Sequence, residues 1–457
     1  METTIQTVWS KSKVLVKGLI IAFLVLLLII PTLYVQNLIE EREQRQKEAV
    51  TEVSNKWAGR QTVTGPMIVL PYWQTDGDTA TKKIRSKHFA FFLPDELSVN
   101  AAIFPKEKSR GIYKVMLYNS RVNLSGSFKD IDIQKLNILP EDVIWNESFV
   151  KFNVSDVKGL NDELILQWKN QPLHLSPQSF EDRSGSNGLT AALSLNGIDD
   201  LKNSIFSCQL DLNGSEQLLF TPLGKSTSVN MQSKWPHPSF TGDILPQNSQ
   251  VRDSGFTANW KSMAHKRSFP QQWKDDAYAL GKPIWNAGMI ERRTTAVVDN
   301  SNYITNAAFG ADLFVPVNGY QKTMRSVKYS VLCILLTFSA FFLIETTNKR
   351  SVHPFQYGLI GLALVLFYIL LLSFSEYIGF TASYIIASIA TIGLIAWFAK
   401  SILFSGRLSG ILSLVLVLMY SYVFTILQLQ DYSLLFGSIG LFITLAIIMY
   451  FSRKIQW

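Results

Sequence analysis

Apolar positions in this chain form long unbroken runs near its two ends and short alternating stretches between them. The first run covers residues 18–35, and 18 residues rising about 1.5 Å each span about 27 Å, close to the thickness of a hydrocarbon core. Pro31 falls in its last turns, where membrane helices tolerate it. Five further runs, 329–344, 357–375, 378–399, 408–427 and 432–452, are each bounded by charged or polar residues. None has a polar face to show solvent, so they predict membrane helices rather than soluble-core helices. The run at 329–344 is short, which predicts that Lys328 and Glu345 extend their stems toward the headgroups.

Between the first two runs the pattern changes. Residues 36–57 are rich in Glu, Arg, Gln and Lys, with Leu38, Ile39, Val50, Val53 and Trp57 among them, and predict a helix continuing out of the membrane. Beyond Gly65-Pro66 the period becomes two. Ile112, Lys114, Met116 and Tyr118 alternate with Tyr113, Val115 and Leu117, and Val122, Leu124, Gly126 and Phe128 continue the pattern. These predict neighbouring strands joined by a turn at Asn119-Ser120. Alternation recurs at Val150, Phe152 and Val154, at Phe206, Cys208, Leu210 and Leu212, and at Phe256, Ala258 and Trp260. A twisted antiparallel sheet or sandwich follows, in one or two subdomains, with residues 178–187 as an exposed loop or boundary.

The fold class is thus an integral membrane protein with six α-helical transmembrane spans, one N-terminal and five C-terminal, and a large β-rich domain between spans 1 and 2. The predicted order is a tail at 1–17, a signal anchor at 18–35, the β-rich domain at 36–328, a five-helix bundle at 329–452 and a tail at 453–457. In the domain, Trp235-Pro236-His237-Pro238 predicts a rigid bend, with Trp235 and Phe240 supplying large apolar surfaces for the core. The functional alternative places His237 in a binding cleft.

Charge orients the spans. Lys11, Lys13 and Lys17 precede the first, Lys349 and Arg350 follow the second, Lys400 and Arg407 separate the fourth and fifth, and Arg453 and Lys454 follow the sixth. The short loops around Glu376 and Asp431 contain no Lys or Arg, so the positive-inside rule places both termini in the cytoplasm and the domain outside it. The cluster Lys322, Arg325 and Lys328 belongs to the long outward segment, where that rule loses force. No small-x-small cleavage site follows the first run, so it is expected to stay as an uncleaved anchor. The formal charge is +8, but ten Lys or Arg and four Asp or Glu lie outside residues 36–326, leaving 33 and 31 within. The basic excess therefore sits at the membrane ends, where the lipid bilayer is the partner, and no nucleic acid is implied.

Catalytic patterns are missing from the sequence: there is no His-Glu-x-x-His, Gly-x-Ser-x-Gly or Cys-x-x-Cys. Gly224-Lys225-Ser226 ends like a phosphate loop, but Leu219 stands where its first glycine belongs. The five His, at 88, 174, 237, 265 and 353, make no pair at ligand spacing, so no metal site or cofactor is expected. Cys208 and Cys333 fall on the two sides of a bilayer boundary, so no internal disulfide is expected either. Glu345 and Glu376 are the ionisable candidates of the bundle. Both stand at predicted span ends, within reach of water, and Glu345 has Lys349 or Arg350 one turn away. Gly358 and Gly361, then Ser383, Ala387 and Thr391, then Gly406 and Gly410, predict close helix packing. Tyr357, Tyr377, Trp397, Tyr432 and Tyr450 lie near span ends and are expected as interfacial anchors.

Several stretches together resemble one family: Gly65-Pro66 with Val69-Leu70-Pro71-Tyr72, Val229-Asn230-Met231-Gln232-Ser233-Lys234 leading into Trp235-Pro236-His237-Pro238-Ser239-Phe240, and Val315-Pro316-Val317-Asn318-Gly319-Tyr320 before Arg325, Lys328 and Tyr329. Thr337-Phe338, Phe341-Phe342, Glu345, His353-Pro354-Phe355-Gln356-Tyr357 and Ser373-Phe374-Ser375-Glu376 continue it. The chain resembles the CreD family of cell-envelope integrity inner-membrane proteins over nearly its whole length. The resemblance implies a Gram-negative inner membrane, a periplasmic domain, and a role in envelope stress or integrity linked to a two-component system. Where family members often carry His after the Ser-Glu pair, this chain has Tyr377, which weakens any His-Glu proton relay there. The resemblance supplies no catalytic residues.

Three readings compete. In the first, a non-enzymatic protein meets wall, outer-membrane or other envelope components through its periplasmic domain. In the second, a transporter or channel moves an envelope-related solute past Glu376. The third is a membrane enzyme acting on wall or lipid precursors. The candidate functional or structural residues are Trp235, His237, Phe240, Glu345 and Glu376.

Overall fold

The structure, a computed structural model, describes residues 2–76, 84–129, 131–177, 188–278, 304–313, 319–348, 352–429 and 433–452. Expectations about residues 178–187, Lys349, Arg350, Arg453, Lys454, Tyr432 and the side chain of Tyr450 fall outside the described residues. The chain divides into two compact units, Met1–Glu48 with Val317–Trp457, and Ala49–Pro316.

The first unit is helical. Its helices are α1 (Glu2–Trp57, of which residues 49–57 belong to the second unit), α2 (Gly319–Lys328), α3 (Ser330–Thr347), α4 (Pro354–Ile378), α5 (Phe380–Leu403), α6 (Gly406–Gln428) and α7 (Ser433–Ser452). Among the described residues, five helices are long and apolar enough to cross a membrane: α1 from Val16 onward, and α3, α4, α5 and α6. The helix runs on without a break past the first apolar run, and the i,i+4 ion pairs Glu41–Arg45, Glu43–Lys47 and Glu52–Lys56 favour that continuation. Helices α4 and α6 begin a few residues before their apolar runs, where the His353 and Ser405 side chains cap them. At the start of α4 the His353 side chain accepts from the Phe355 N–H at 3.3 Å, Gln356 returns a bond to the His353 N–H at 3.1 Å, and Pro354 opens the helix.

Helix α2 was not foreseen, and it carries the basic cluster expected in the outward segment. It is amphipathic, with Tyr320, Thr323, Ser326 and Val327 buried on one face. Helix α1 buries a seam of Leu28, Thr32, Val35 and Ile39 at helical spacing. Gly361 of α4 meets that seam: a Cβ there would lie 2.1 Å from Leu28 Cδ1 and 3.0 Å from Phe338 Cζ. Open space surrounds Gly358, Gly406 and Gly410, so of these four glycines close helix approach belongs to Gly361 alone. Ser383, Ala387 and Thr391 do form the buried face of α5. Phe367 joins α4 to its neighbours, with ring centroids 4.6 Å from Tyr420 and 5.4 Å from Tyr384. Tyr377 and Trp397 are 75% and 73% exposed, as anchors require, whereas Tyr357 is fully buried and is no anchor.

The second unit contains sixteen strands among the described residues. They are β1 (Gln61–Asp76), β2 (Ile84–Phe92), β3 (Glu96–Arg110), β4 (Tyr113–Phe128), β5 (Phe149–Val154), β6 (Leu164–Trp168), β7 (Gln171–Pro177) and β8 (Leu189–Ala192). The rest are β9 (Ser204–Ser215), β10 (Gln217–Phe220), β11 (Ser226–Ser233), β12 (Pro238–Gly242), β13 (Asn248–Arg252), β14 (Gly255–Met263), β15 (Gln272–Lys274) and β16 (Phe309–Leu313). Pairing runs β12-β16-β10-β1-β5-β8-β7-β6-β9-β4-β3-β11-β14-β13, with β2 on β1 and β15 on β2. The sheet is mixed rather than purely antiparallel, because β1 pairs β10 and β3 pairs β11 in parallel. Both parallel pairs join strands far apart in sequence, where no tight turn dictates direction.

The turn expected at Asn119-Ser120 is absent. Strand β4 runs straight through it, and the true hairpin turn is Gly111-Ile112, between Arg110 and Tyr113. Ser120 keeps the phase of Tyr118 and Val122 and buries its hydroxyl on the Leu212 carbonyl at 2.9 Å. Strand β5 departs from simple alternation too: Lys151 and Asn153 are buried along with Val150, Phe152 and Val154, because β5 is an interior strand between β1 and β8. One core spans the sheet. Trp260 of β14 stacks on Phe309 of β16 at 5.9 Å and meets Phe240 of β12 edge-on at 5.6 Å.

Candidate functional site

Glu345 stands in the last turns of α3 and is only 4% exposed. Its carboxylate accepts from the Tyr357 hydroxyl at 2.7 Å, from the Val352 N–H at 2.8 Å and from the Lys17 ammonium of α1. Lys17 also donates to the Val352 carbonyl at 2.8 Å. The expectation that Glu345 reaches water is therefore corrected. The chain turning from α3 into α4 lays Val352 over the carboxylate, and an ammonium, a hydroxyl and an amide replace its hydration. Edge-on contacts with Phe338 and Phe341, at 5.5 and 5.1 Å, seat the Tyr357 ring.

Glu376, near the C-terminal end of α4, repeats the arrangement. It accepts from the Tyr320 hydroxyl of α2 at 3.0 Å, and Arg42 Nε of α1 lies 4.0 Å from the same oxygen. Both carboxylates thus combine a tyrosine hydroxyl with a cation from α1. Lys17 and Arg42 are separated by about 37 Å along that helix, more than the roughly 30 Å of a hydrocarbon core. The two clusters pin α1 to the other helices near opposite ends of the unit.

In the strand unit, Trp235 is half-buried against the core, and its indole N–H donates to the His237 carbonyl at 3.0 Å. The His237 ring is exposed and stands edge-on to Trp235 at 6.1 Å, on the surface rather than in a cleft. Phe240 packs against Phe256 and Trp260. The structure brings Trp235, His237 and Phe240 together as a packed bend, separate from the two carboxylates.

Strand register assembles a feature that no stretch of sequence displays. Gln209 pairs Asn123, Asn123 pairs Asn100, Asn100 pairs Asn230, Asn230 pairs Asn259, and Asn259 pairs Asn248. Directly opposed residues share a face, so six carboxamides form one row across β9, β4, β3, β11, β14 and β13. Asn259 donates to Asn230, and Asn230 donates to Asn100 at 3.1 Å. Beside this row runs a second of Gln167, Ser207, Ser125, Ser98, Ser228 and Lys261. A groove of about 430 Å³ follows the amides from Asn123 to Asn248.

The family model described as "Inner membrane protein CreD" matches residues 13–457. The chain belongs to the CreD family. It is also 30% identical over 437 residues to "Inner membrane protein CreD" of Escherichia coli (strain K12), covering 95% of this chain and 91% of that protein. Family membership and the apolar helices together make this a multi-pass protein of the inner membrane.

Within this CreD-family chain the two kinds of polar group differ in what they can do. Glu345 and Glu376 are engaged in holding helices together, whereas the carboxamides face outward with donors and acceptors to spare. Among the described residues no group of three or more His, Cys, Asp or Glu is placed to hold a metal ion. Sequence reading missed Lys17, Arg42, Tyr320 and Tyr357 as partners of the carboxylates, and missed the amide row. The one local signal for the row was asparagine at outward positions of strands, where that residue is disfavoured.

Proposed function

We propose that this CreD-family protein supports the integrity of the cell envelope without catalysis, acting through its strand-rich domain on the periplasmic side of the inner membrane. In this reading α7 is the sixth span, both termini are cytoplasmic, and the domain meets an envelope or wall component. The distribution of Lys and Arg along the sequence supports that orientation. The observation that carries the reading is the contrast between the units. The buried Glu345 and the half-buried Glu376 of the helical unit are tied up by Lys17, Tyr357 and Tyr320, which suits an anchor, while the strand unit presents a wide outward polar face.

Two measurements test it. A tag inserted at position 186 should be accessible in spheroplasts before permeabilisation. Cells whose chain lacks residues 61–313 should become more sensitive to envelope-active detergents at unchanged protein level; unchanged sensitivity would sink the reading. Transport is the second reading, and it rests on Glu376 lying at the end of a bundle helix. Proteoliposome flux lost on Glu376→Gln would favour it, and full function of that variant in cells would remove it.

A further inference from the structure

The amide row is costly by the rules of strand formation. Asparagine is depleted in strands, yet Asn100, Asn123, Asn230 and Asn259 occupy the middles of four adjacent ones. Threonine would serve a solvent-facing sheet better. Where local preference is broken with no gain in packing, a functional constraint is the physical explanation. The inner face of the same strands has no such anomaly, being Val99, Leu124, Val229, Met231 and Trp260.

Chemistry narrows the occupant. In the amide row and the serine row beside it Lys261 is the single charged residue, and in the flanking row on the other side, which borders the groove, Arg121 stands opposite Asp211; with one free-standing cation and one opposed pair the surface offers neither the cation array that phosphate polymers require nor an acidic field for basic partners. It also lacks the buried aromatic or aliphatic centre on which protein partners anchor. What it offers is uncharged donors and acceptors in equal measure, already oriented by the bonds from Asn259 to Asn230 and from Asn230 to Asn100. The row crosses five strand spacings of about 4.8 Å, about 24 Å in all. Each step is comparable to one pyranose ring along an extended glycan. On the same face of β3, Phe104 is half-exposed and lines an adjoining groove of about 370 Å³, where a sugar's apolar face can rest.

We propose that the row Gln209, Asn123, Asn100, Asn230, Asn259 and Asn248 is a docking track for an uncharged glycan strand bearing hydroxyl and acetamido groups. The proposal rests on the reading that the domain lies in the envelope, but its test does not depend on membrane orientation. Full-length protein in nanodiscs is titrated with the hexamer of N-acetylglucosamine, followed by calorimetry. The comparison is the triple variant Asn100→Thr, Asn123→Thr, Asn230→Thr, whose residues favour strands and so preserve the fold. Saturable binding by the parent, weakened about tenfold or more in the variant, with an unfolding temperature no lower than the parent's, supports the track. Absence of binding by the parent, or equal binding by both proteins, overturns it. Concentration-dependent dimerisation lost in the variant without glycan binding also overturns it, assigning the face to a second copy of the chain. A tag at 186 found in the cytoplasm would refute the envelope reading alone and leave the titration result standing.

Discussion

Lys17, whose side chain is 22% exposed, and the buried Glu345 form an ion pair across 328 residues of sequence. Because Tyr357 and the Val352 N–H bind the same carboxylate, one side chain holds α1, α3 and α4 together. Replacing Lys17 alone by Met leaves the carboxylate buried without its cation. The expected loss is about 2–4 kcal/mol of stability in detergent. The double variant Lys17→Met, Glu345→Gln should recover much of it, because Gln retains an acceptor for Tyr357 and carries no charge. Urea unfolding of the four-member mutant cycle measures the coupling, and strictly additive effects would refute the lock.

Gly361 lets α4 approach α1 closely, since an added methyl would collide with Leu28 and press on Phe338. Gly361→Ala should destabilise the bundle by about 1–3 kcal/mol. Gly358→Ala, on an open face of the same helix, should be neutral or slightly stabilising. Adding Leu28→Ala to the Gly361 variant should restore part of the loss by removing the colliding methyls. Equal thermal stability of the two glycine variants would contradict this packing.

Much of the architecture was readable from periodicity, and the failures have two causes, one local and one not. The continuation of α1 to Trp57 was legible because its ion pairs are four residues apart, a local signal. The false turn at Asn119-Ser120 came from weighting two polar residue types over phase. Met116, Tyr118, Ser120 and Val122 keep one alternation throughout, and a tight turn there would have interrupted it. The partner of Glu345 and the row of amides were illegible for a stronger reason. Both depend on which distant segments meet, and that is decided by register and helix packing rather than by any window of sequence.

Trp260 and Trp235 occupy unlike positions in the strand domain, so truncating them should have unlike effects. Trp260 is fully buried between Phe240 and Phe309. Trp260→Ala should cost about 3–5 kcal/mol through the cavity it leaves. Trp235 is half-buried and its indole N–H donates to the His237 carbonyl of the same bend, so Trp235→Ala should cost about 1–2 kcal/mol. His237→Ala, at the exposed side of the bend, should stay within about 0.5 kcal/mol. Denaturant titration followed by tryptophan fluorescence ranks the three; a large effect of His237→Ala would show that the ring has work beyond the bend.

Asp312 gives the domain a distinctive response to pH. Burial on β16 raises its pKa above the ordinary aspartate value; the bond from Gln217 Nε2, at 2.6 Å, and the Arg60 charge oppose the shift, and the Glu216 charge adds to it. The folded protein therefore keeps this proton at pH values where the unfolded chain has already released it. Stability must fall as pH rises through that interval, and the deficit persists at neutral pH. Asp312→Asn abolishes the ionisation while leaving an amide oxygen to accept from Gln217. The variant should be more stable than the parent at pH 7, and the difference should shrink as pH falls from the raised native pKa to the ordinary aspartate value of about 3.9 and be absent below it. Chemical denaturation at a series of pH values measures it, and a variant less stable than the parent at pH 7 would show that the carboxylate is held in its charged form instead.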